Sequence, residues 1–271
     1  MTRASPAAFL SLHLGDLIGG LCLNDLQLDR AGPRRGVRKR RRWYAPALIQ
    51  AGRLYVRVTR LHIRVLPRAA WQAYELELYR ELYGEEARLR PDGWLEVPFL
   101  GDALALLLAR PEVGAAAKLR ALACAAGELH RVHQIMVGAG STRRPFSHAD
   151  AGVRNVAYCP RQNRAHWFDF EMVHAPDLPA TWRHADDLRA LLYSALALLP
   201  ATLGPAAIRA SLSAYPTPAV HAQLRERIAS GTLALDTYHL AQLRLARAGH
   251  ARLDQQLLAG LQPAGAPREG A

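Results

Sequence analysis

Phe146-Ser-His148-Ala-Asp150-Ala-Gly-Val-Arg-Asn155-Val-Ala-Tyr-Cys-Pro-Arg-Gln-Asn-Arg-Ala-His-Trp-Phe-Asp169-Phe-Glu171 is the stretch on which the reading of this chain turns. Two apolar runs, Val156 to Tyr158 and His166 to Phe168, flank Pro160 to Arg164, which is turn-like in composition. The pattern predicts a loop, a strand, a tight turn and a second strand. Such a hairpin brings Asn155 and Asp169 to one end, close to Asp150. One carboxylate to accept a hydroxyl proton and two oxygen ligands for magnesium are what phosphoryl transfer asks of a protein.

The rest of the composition sets bounds. At 271 residues the chain can bury a sizeable core, as one large domain or two small lobes. Half of it is apolar and 21% is charged, which marks a globular rather than a disordered chain. The formal charge is +12, and lysine occurs only at Lys39 and Lys118, so Arg supplies the other 33 of the 35 basic residues. Such usage, with abundant Ala and Leu, is what a GC-rich genome produces. It also suits anionic partners, since guanidinium forks bind phosphates bidentately. Cys22, Cys124 and Cys159 are odd in number and scattered, with neither zinc spacing nor a disulfide framework, as in a reducing cytoplasm. No signal peptide is expected, because the apolar stretch Ala7 to Leu12 is short and runs into His13 and Asp16. Leu188 to Ile208 is the longest apolar run, but Arg189, Pro200 and Pro205 interrupt it, so a buried helix fits better than a membrane span.

Going outward from the central stretch, Arg34 to Trp43 has seven Arg or Lys in ten residues. Three readings stay open: a solvated run, a binder of phosphate or lipid headgroups, and a nucleic-acid contact. The last lacks any accompanying helix-turn-helix, zinc or stacking pattern. Arg53 to Thr59 and His62 to Leu66 alternate apolar residues with Arg, which predicts a hairpin or one long bent strand. Ala69 to Leu82 carries a helical apolar stripe ended by Gly84. Trp94 to Pro98 reads as a short strand, Ala103 to Arg110 and Ala115 to His133 as helices, and His130 and His133 as structural helix-end residues. From residue 184 onward the helices Ala185 to Leu199, Pro205 to Ala214, Ala219 to Ile228 and Leu233 to about Leu261 are expected. The order is β-rich and then α-rich, an α+β architecture. It divides into a first lobe (1–98, with the basic run at 34–42), a helical lobe (99–262) and a tail (263–271) expected to be disordered.

At these residues a resemblance becomes usable. His148-x-Asp150-x-x-x-x-Asn155 resembles the catalytic loop of the protein kinase-like fold, and Asp169-Phe170-Glu171, fourteen residues after Asn155, resembles its metal-binding motif. Glu in the last place is similar to the small-molecule kinases of that group, which include aminoglycoside and choline phosphotransferases and the Kdo/lipopolysaccharide core kinases. The resemblance covers roughly residues 52–195 and implies a two-lobed kinase-like fold. It implies that Asp150 is the catalytic base and that Asn155 and Asp169 are ligands of Mg2+. It implies that His148 supports the loop, and that Asp187 anchors the loop backbone from the following helix, with Asp186 the competing choice.

Two departures stand out. The family has a strand lysine paired with a helix glutamate, and neither lysine here is expected to fill that place. Arg64 is the best positional substitute, with Arg57 second and Glu75 the partner. No G-x-G-x-x-G is present either, so the phosphate cover falls to the basic run near Gly36. The resemblance then implies an ATP- and Mg2+-dependent phosphotransferase acting on a hydroxyl of a small molecule, sugar or lipopolysaccharide. The basic run suggests an anionic membrane surface as partner, with the protein cytoplasmic or peripheral at the inner face of the membrane. The alternatives are a kinase-like scaffold without turnover, and a basic nucleic-acid or membrane-surface binder in which the motif is accidental.

Overall fold

The computed structural model describes residues 23–29, 36–59, 62–84, 87–138, 143–230 and 247–261. The readings made for the first 22 residues, for residues 231–246 and for the tail lie outside the described residues. The described chain is α+β, with a small antiparallel sheet and several helices.

The basic run is a strand. β1 (Asn24–Asp29) and β2 (Gly36–Arg41) pair antiparallel, and β2 also pairs with β5 (Leu95–Pro98), which carries β4 (Arg88–Leu89) on its other side. The two-residue period of a strand divides the cations between two faces. Lys39 and Arg41 turn inward and are buried, whereas Arg40 is exposed and stacks its guanidinium 4.6 Å from the Trp94 ring. The solvated reading of this run is therefore corrected for Lys39 and Arg41.

α1 (Ala45–Thr59) overturns a second expectation, that of a strand over Arg53 to Thr59. Pro46 lies in the first turn, where its missing N–H costs nothing, and Ala45 and Ile49 place buried side chains one turn apart. A helix nucleated there extends through Tyr55-Val-Arg-Val against their strand propensity, because each further residue adds a hydrogen bond without a new nucleation cost. β3 (Ile63–Val65) therefore has no hairpin partner before it. It pairs antiparallel with β10 (Met172–His174), the strand directly after Asp169-Phe-Glu171. Leu66 N donates to Glu171 O at 2.9 Å and extends that ladder.

α2 (Arg68–Tyr83) buries Trp71, Leu78, Tyr79 and Leu82 of the expected stripe, and with them Glu75, a polar residue the stripe leaves out. Gly84 ends it at φ 64°, a left-handed conformation that favours glycine, and its N–H closes on Arg80 O. α3 (Leu104–Ala109) and α4 (Ala115–His133) follow, then the short pair β6 (Met136–Val137) and β7 (Arg144–Pro145). β8 (Val156–Cys159) and β9 (Arg164–Trp167) form the expected hairpin, with Val156 opposite Trp167. α5 (Ala180–Leu196) is buried along its whole length from Arg183. α6 (Gly204–Ala214), α7 (Pro218–Ala229) and α8 (Arg247–Gly260) surround it. One large apolar core joins α2, β5, α4, the β8–β9 hairpin and α5 to α7, so the site rests on a continuous packed base.

Candidate active site

Asp187 shows how the helix sets the loop. Its carboxylate on α5 accepts from His148 N (2.7 Å), Ala149 N (2.8 Å) and His133 Nε2 (3.0 Å). Two adjacent N–H groups can point at one carboxylate only if the backbone turns sharply, and Ala149 does so at φ 65°. A non-glycine residue in that region costs on the order of 1 kcal/mol, offset here by charge-assisted hydrogen bonds. Burial opposes the charge on Asp187, but the nearby His174, His133 and His148 outweigh it and hold the carboxyl well below the usual range. Asp186 instead meets His174 Nε2 at 3.1 Å and Arg227 at 3.4 Å, so of the two neighbouring aspartates it is Asp187 that holds the loop.

The turned loop presents Asp150. Asn155 Nδ2 donates to both the backbone O and Oδ2 of Asp150, each at 2.9 Å, which fixes the carboxylate relative to the start of the hairpin. Phe168 N donates to Asn155 O at 2.9 Å, and His148 Nε2 lies 2.9 Å from Phe168 O. His148, Asp150, Asn155 and the residue before Asp169 are thereby tied together by four hydrogen bonds. Asp169 adopts φ 68°, which breaks the strand and redirects its carboxylate.

That carboxylate meets Lys39. The ammonium of Lys39 lies 3.1 Å from Asp169 Oδ1 and 2.6 Å from Glu75 Oε1, and Glu75 Oε2 accepts from Trp71 Nε1 at 2.5 Å. Lys39 and Glu75 are both buried, where an unpaired charge would be costly. Burial alone would lower the Lys39 pKa, but Asp169 and Glu75 outweigh it and raise it well above the ordinary value. Burial raises Asp169 in the same way, yet the ammonium of Lys39 prevails and holds it below the ordinary value. Asp169 is therefore held in its ionised form.

The expectation that an arginine takes the lysine's place is corrected. Arg64 stands on β3 opposite Val173, with its side chain exposed, and Arg57 lies within α1. Glu75 is where it was expected, but its cation is Lys39. One signal in the sequence pointed to it: in a chain that uses Arg for 33 of 35 basic residues, a single Lys stands in an arginine run, in phase with Val37 and Arg41.

A second buried ion pair was not anticipated. Arg41 contacts Glu171 at charge-pair distance, Asn24 Nδ2 donates to the same carboxylate at 2.9 Å, and the Arg41 guanidinium lies over the Trp71 ring at 4.6 Å. Burial, followed by the charge of Asp169, pushes Glu171 up to about 7 against the pull of Arg41. His133 also does more than cap a helix, since its Nδ1 lies 2.6 Å from Tyr215 OH and its ring stacks on His184 at 3.9 Å.

A cleft of about 210 Å3 opens beside Lys39 and Asp169. Its other walls are mainly apolar, with Val37, Val97, Leu100 and Phe168 among them. Asp150 and Asn155 do not line this cleft; they connect to it through Phe168. Among the described residues no three His, Cys, Asp or Glu side chains gather into a metal-binding group. The oxygen donors that fit Mg2+ are Asp169 and Asn155, whose amide nitrogen is turned to Asp150 and whose amide oxygen is its remaining coordinating atom. Comparison with protein-family models and with curated proteins found no match.

Proposed function

We propose that this chain is an ATP- and Mg2+-dependent phosphotransferase of the two-lobed protein kinase-like fold, acting on a hydroxyl group. The observation that carries the reading is the buried Lys39 ammonium between Glu75 and Asp169, beside an apolar cleft. The cleft's apolar walls suit a purine, and Lys39 suits phosphate oxygens while Glu75 keeps it in place. Mg2+, when bound, would supply positive charge to neutralise what develops on the transferring phosphoryl group. Asn155 and Asp169 would hold the ion.

Asp150 accepts the proton of the acceptor hydroxyl as that oxygen forms its bond to the γ-phosphorus and the bond to the β-phosphate oxygen breaks. Asn155 orients Asp150 for this, and Asp187 holds the turn that aims it. The acceptor we assign is a small molecule, a sugar or a lipopolysaccharide-type molecule. Peripheral attachment at the inner face of a membrane belongs to the same reading. Among the described residues no helix is long and apolar enough to cross a membrane. A scaffold without turnover rests on a missing strand lysine and a missing glycine-rich loop; Lys39 on β2 answers the first of these, and the second stands.

The test is thermal unfolding of the full chain with ATP, with and without Mg2+, followed by a phosphotransfer assay on wild type and Asp150→Asn. Nucleotide at about a hundred times its Kd should stabilise by about 2.7 kcal/mol, and only with Mg2+. Asp150→Asn should keep that shift and lose transfer. A wild-type chain that no nucleotide stabilises would sink the reading.

A further inference from the structure

A second cleft, of about 370 Å3, lies where β2 runs into α1 and is lined by Arg41, Arg42, Arg53 and Arg68. Trp43, Ile49, Pro46 and Pro67 supply its apolar surface, and no carboxylate is in its lining. The basic run accounts for only part of this charge. Arg41 is held by Glu171, and Arg42 by Asp25 at 2.9 Å and by Tyr44 OH at 2.8 Å. Arg53 and Arg68 come from outside the run, and among the described residues no carboxylate pairs with either; Arg68 donates to Gly93 O at 3.2 Å. Arg41 is itself only 6% exposed, and among the described residues its Nε is a buried donor without an acceptor. Trp43 is 91% exposed at the same place, an unusual position for the largest apolar side chain.

Four arginines that line one cleft, two of them (Arg53 and Arg68) without a carboxylate partner among the described residues and a third (Arg41) with an unmet buried donor, suit an anion with several oxygens. The apolar walls and the exposed indole add a contact for the group that carries it. We infer that this cleft binds a phosphate ester through Arg53, Arg68 and Arg41, with the esterified group against Trp43 and Ile49. Such a phosphate is found on a soluble metabolite or on a lipid headgroup, and the chemistry recognised is the same. The inference does not depend on phosphotransfer at the first cleft. An anion here would also compete with Glu171 for Arg41, and so reach the residue two positions from Asp169.

The experiment uses the full chain, with tryptophan fluorescence as the readout. It is titrated with inorganic phosphate, with glycerol 3-phosphate, and with phosphatidylcholine vesicles with and without phosphatidic acid. Saturable binding is expected. In Arg53→Gln/Arg68→Gln it should weaken by about tenfold or more, as loss of two charge-assisted contacts requires. The unfolding midpoint and any Mg-ATP shift should stay at the wild-type values. Should Arg68→Gln fail to fold through loss of its Gly93 contact, the exposed helix variant Arg53→Gln alone should still weaken binding by about threefold or more. Binding of the soluble phosphates identifies a metabolite, and binding only of phosphatidic acid vesicles a lipid. Variants that bind as tightly as wild type, or a wild-type chain that binds none of the probes saturably, would overturn the inference.

Discussion

Lys39 Nζ lies 2.6 Å from Glu75 Oε1, across 36 residues of chain, with both side chains buried. Each charge is tolerated there because of the other. Lys39→Met should therefore cost about 3 kcal/mol in urea unfolding, because it leaves a buried carboxylate uncompensated. Lys39→Met/Glu75→Leu should recover a large part of that loss and, under the proposed function, still lack transfer activity, because Lys39 is the group assigned to the phosphate oxygens. A double variant whose cost equals the sum of the two single variants would show that the pair is not coupled.

Arg64→Ala tests the corrected assignment from the other side. An exposed arginine on β3 should be replaceable within about 0.5 kcal/mol and without change in nucleotide affinity. A loss of affinity comparable to that of Lys39→Met would return the phosphate contact to Arg64.

Asp187→Asn places an amide where two N–H groups and a histidine converge. An amide nitrogen cannot accept, so the variant should lose about 2–4 kcal/mol and relax the turn at Ala149. We expect kcat to fall more than KM changes, because the turn aims Asp150 rather than binding nucleotide. The pH dependence has a definite sign. A carboxyl held below its ordinary 3.8 contributes stability that is present above that value and lost as the pH falls below it. Acid unfolding of the variant should lack this contribution.

Glu171 has the opposite sign. Its pKa is pushed up to about 7 from an ordinary 4.5, so between those values the folded chain binds more protons than the unfolded one. Stability should therefore decline as the pH rises through that window, by up to about 3 kcal/mol from this residue. In Glu171→Gln the difference in stability between pH 5 and pH 8 should shrink accordingly. An unchanged difference would mean that Arg41 holds Glu171 ionised throughout.

Much of the site was legible because the chemistry is local. The alternation around Pro160 to Arg164 predicted the β8–β9 hairpin, and spacing placed Asn155 against Asp150 and opposite Phe168, the residue before Asp169. The stripe of α2 assigned Glu75 to the polar side of the helix, and only its ion pair with Lys39 explains its burial; the long apolar helix carried Asp187 as expected. What failed was also specific. Tyr55-Val-Arg-Val reads as strand on its own, and only the turn begun at Ala45-Pro46 commits it to α1. β3 has too few residues to reveal a partner, and that partner lies beyond residue 170.

The sequence by itself determined the apolar periodicities of the helices and of the β8–β9 hairpin, but not that the basic run is a strand whose phase groups Val37, Lys39 and Arg41. Only the tertiary structure decided which of those inward cations serves the site. Seven basic residues in ten look alike along a chain, and a strand's period separates them into just two classes. Their roles differ because burial makes an uncompensated charge costly, and the compensating carboxylates, Glu75, Asp169 and Glu171, come from distant segments. That selection is a long-range electrostatic one, made when α2 and the segment after β9 close over β2.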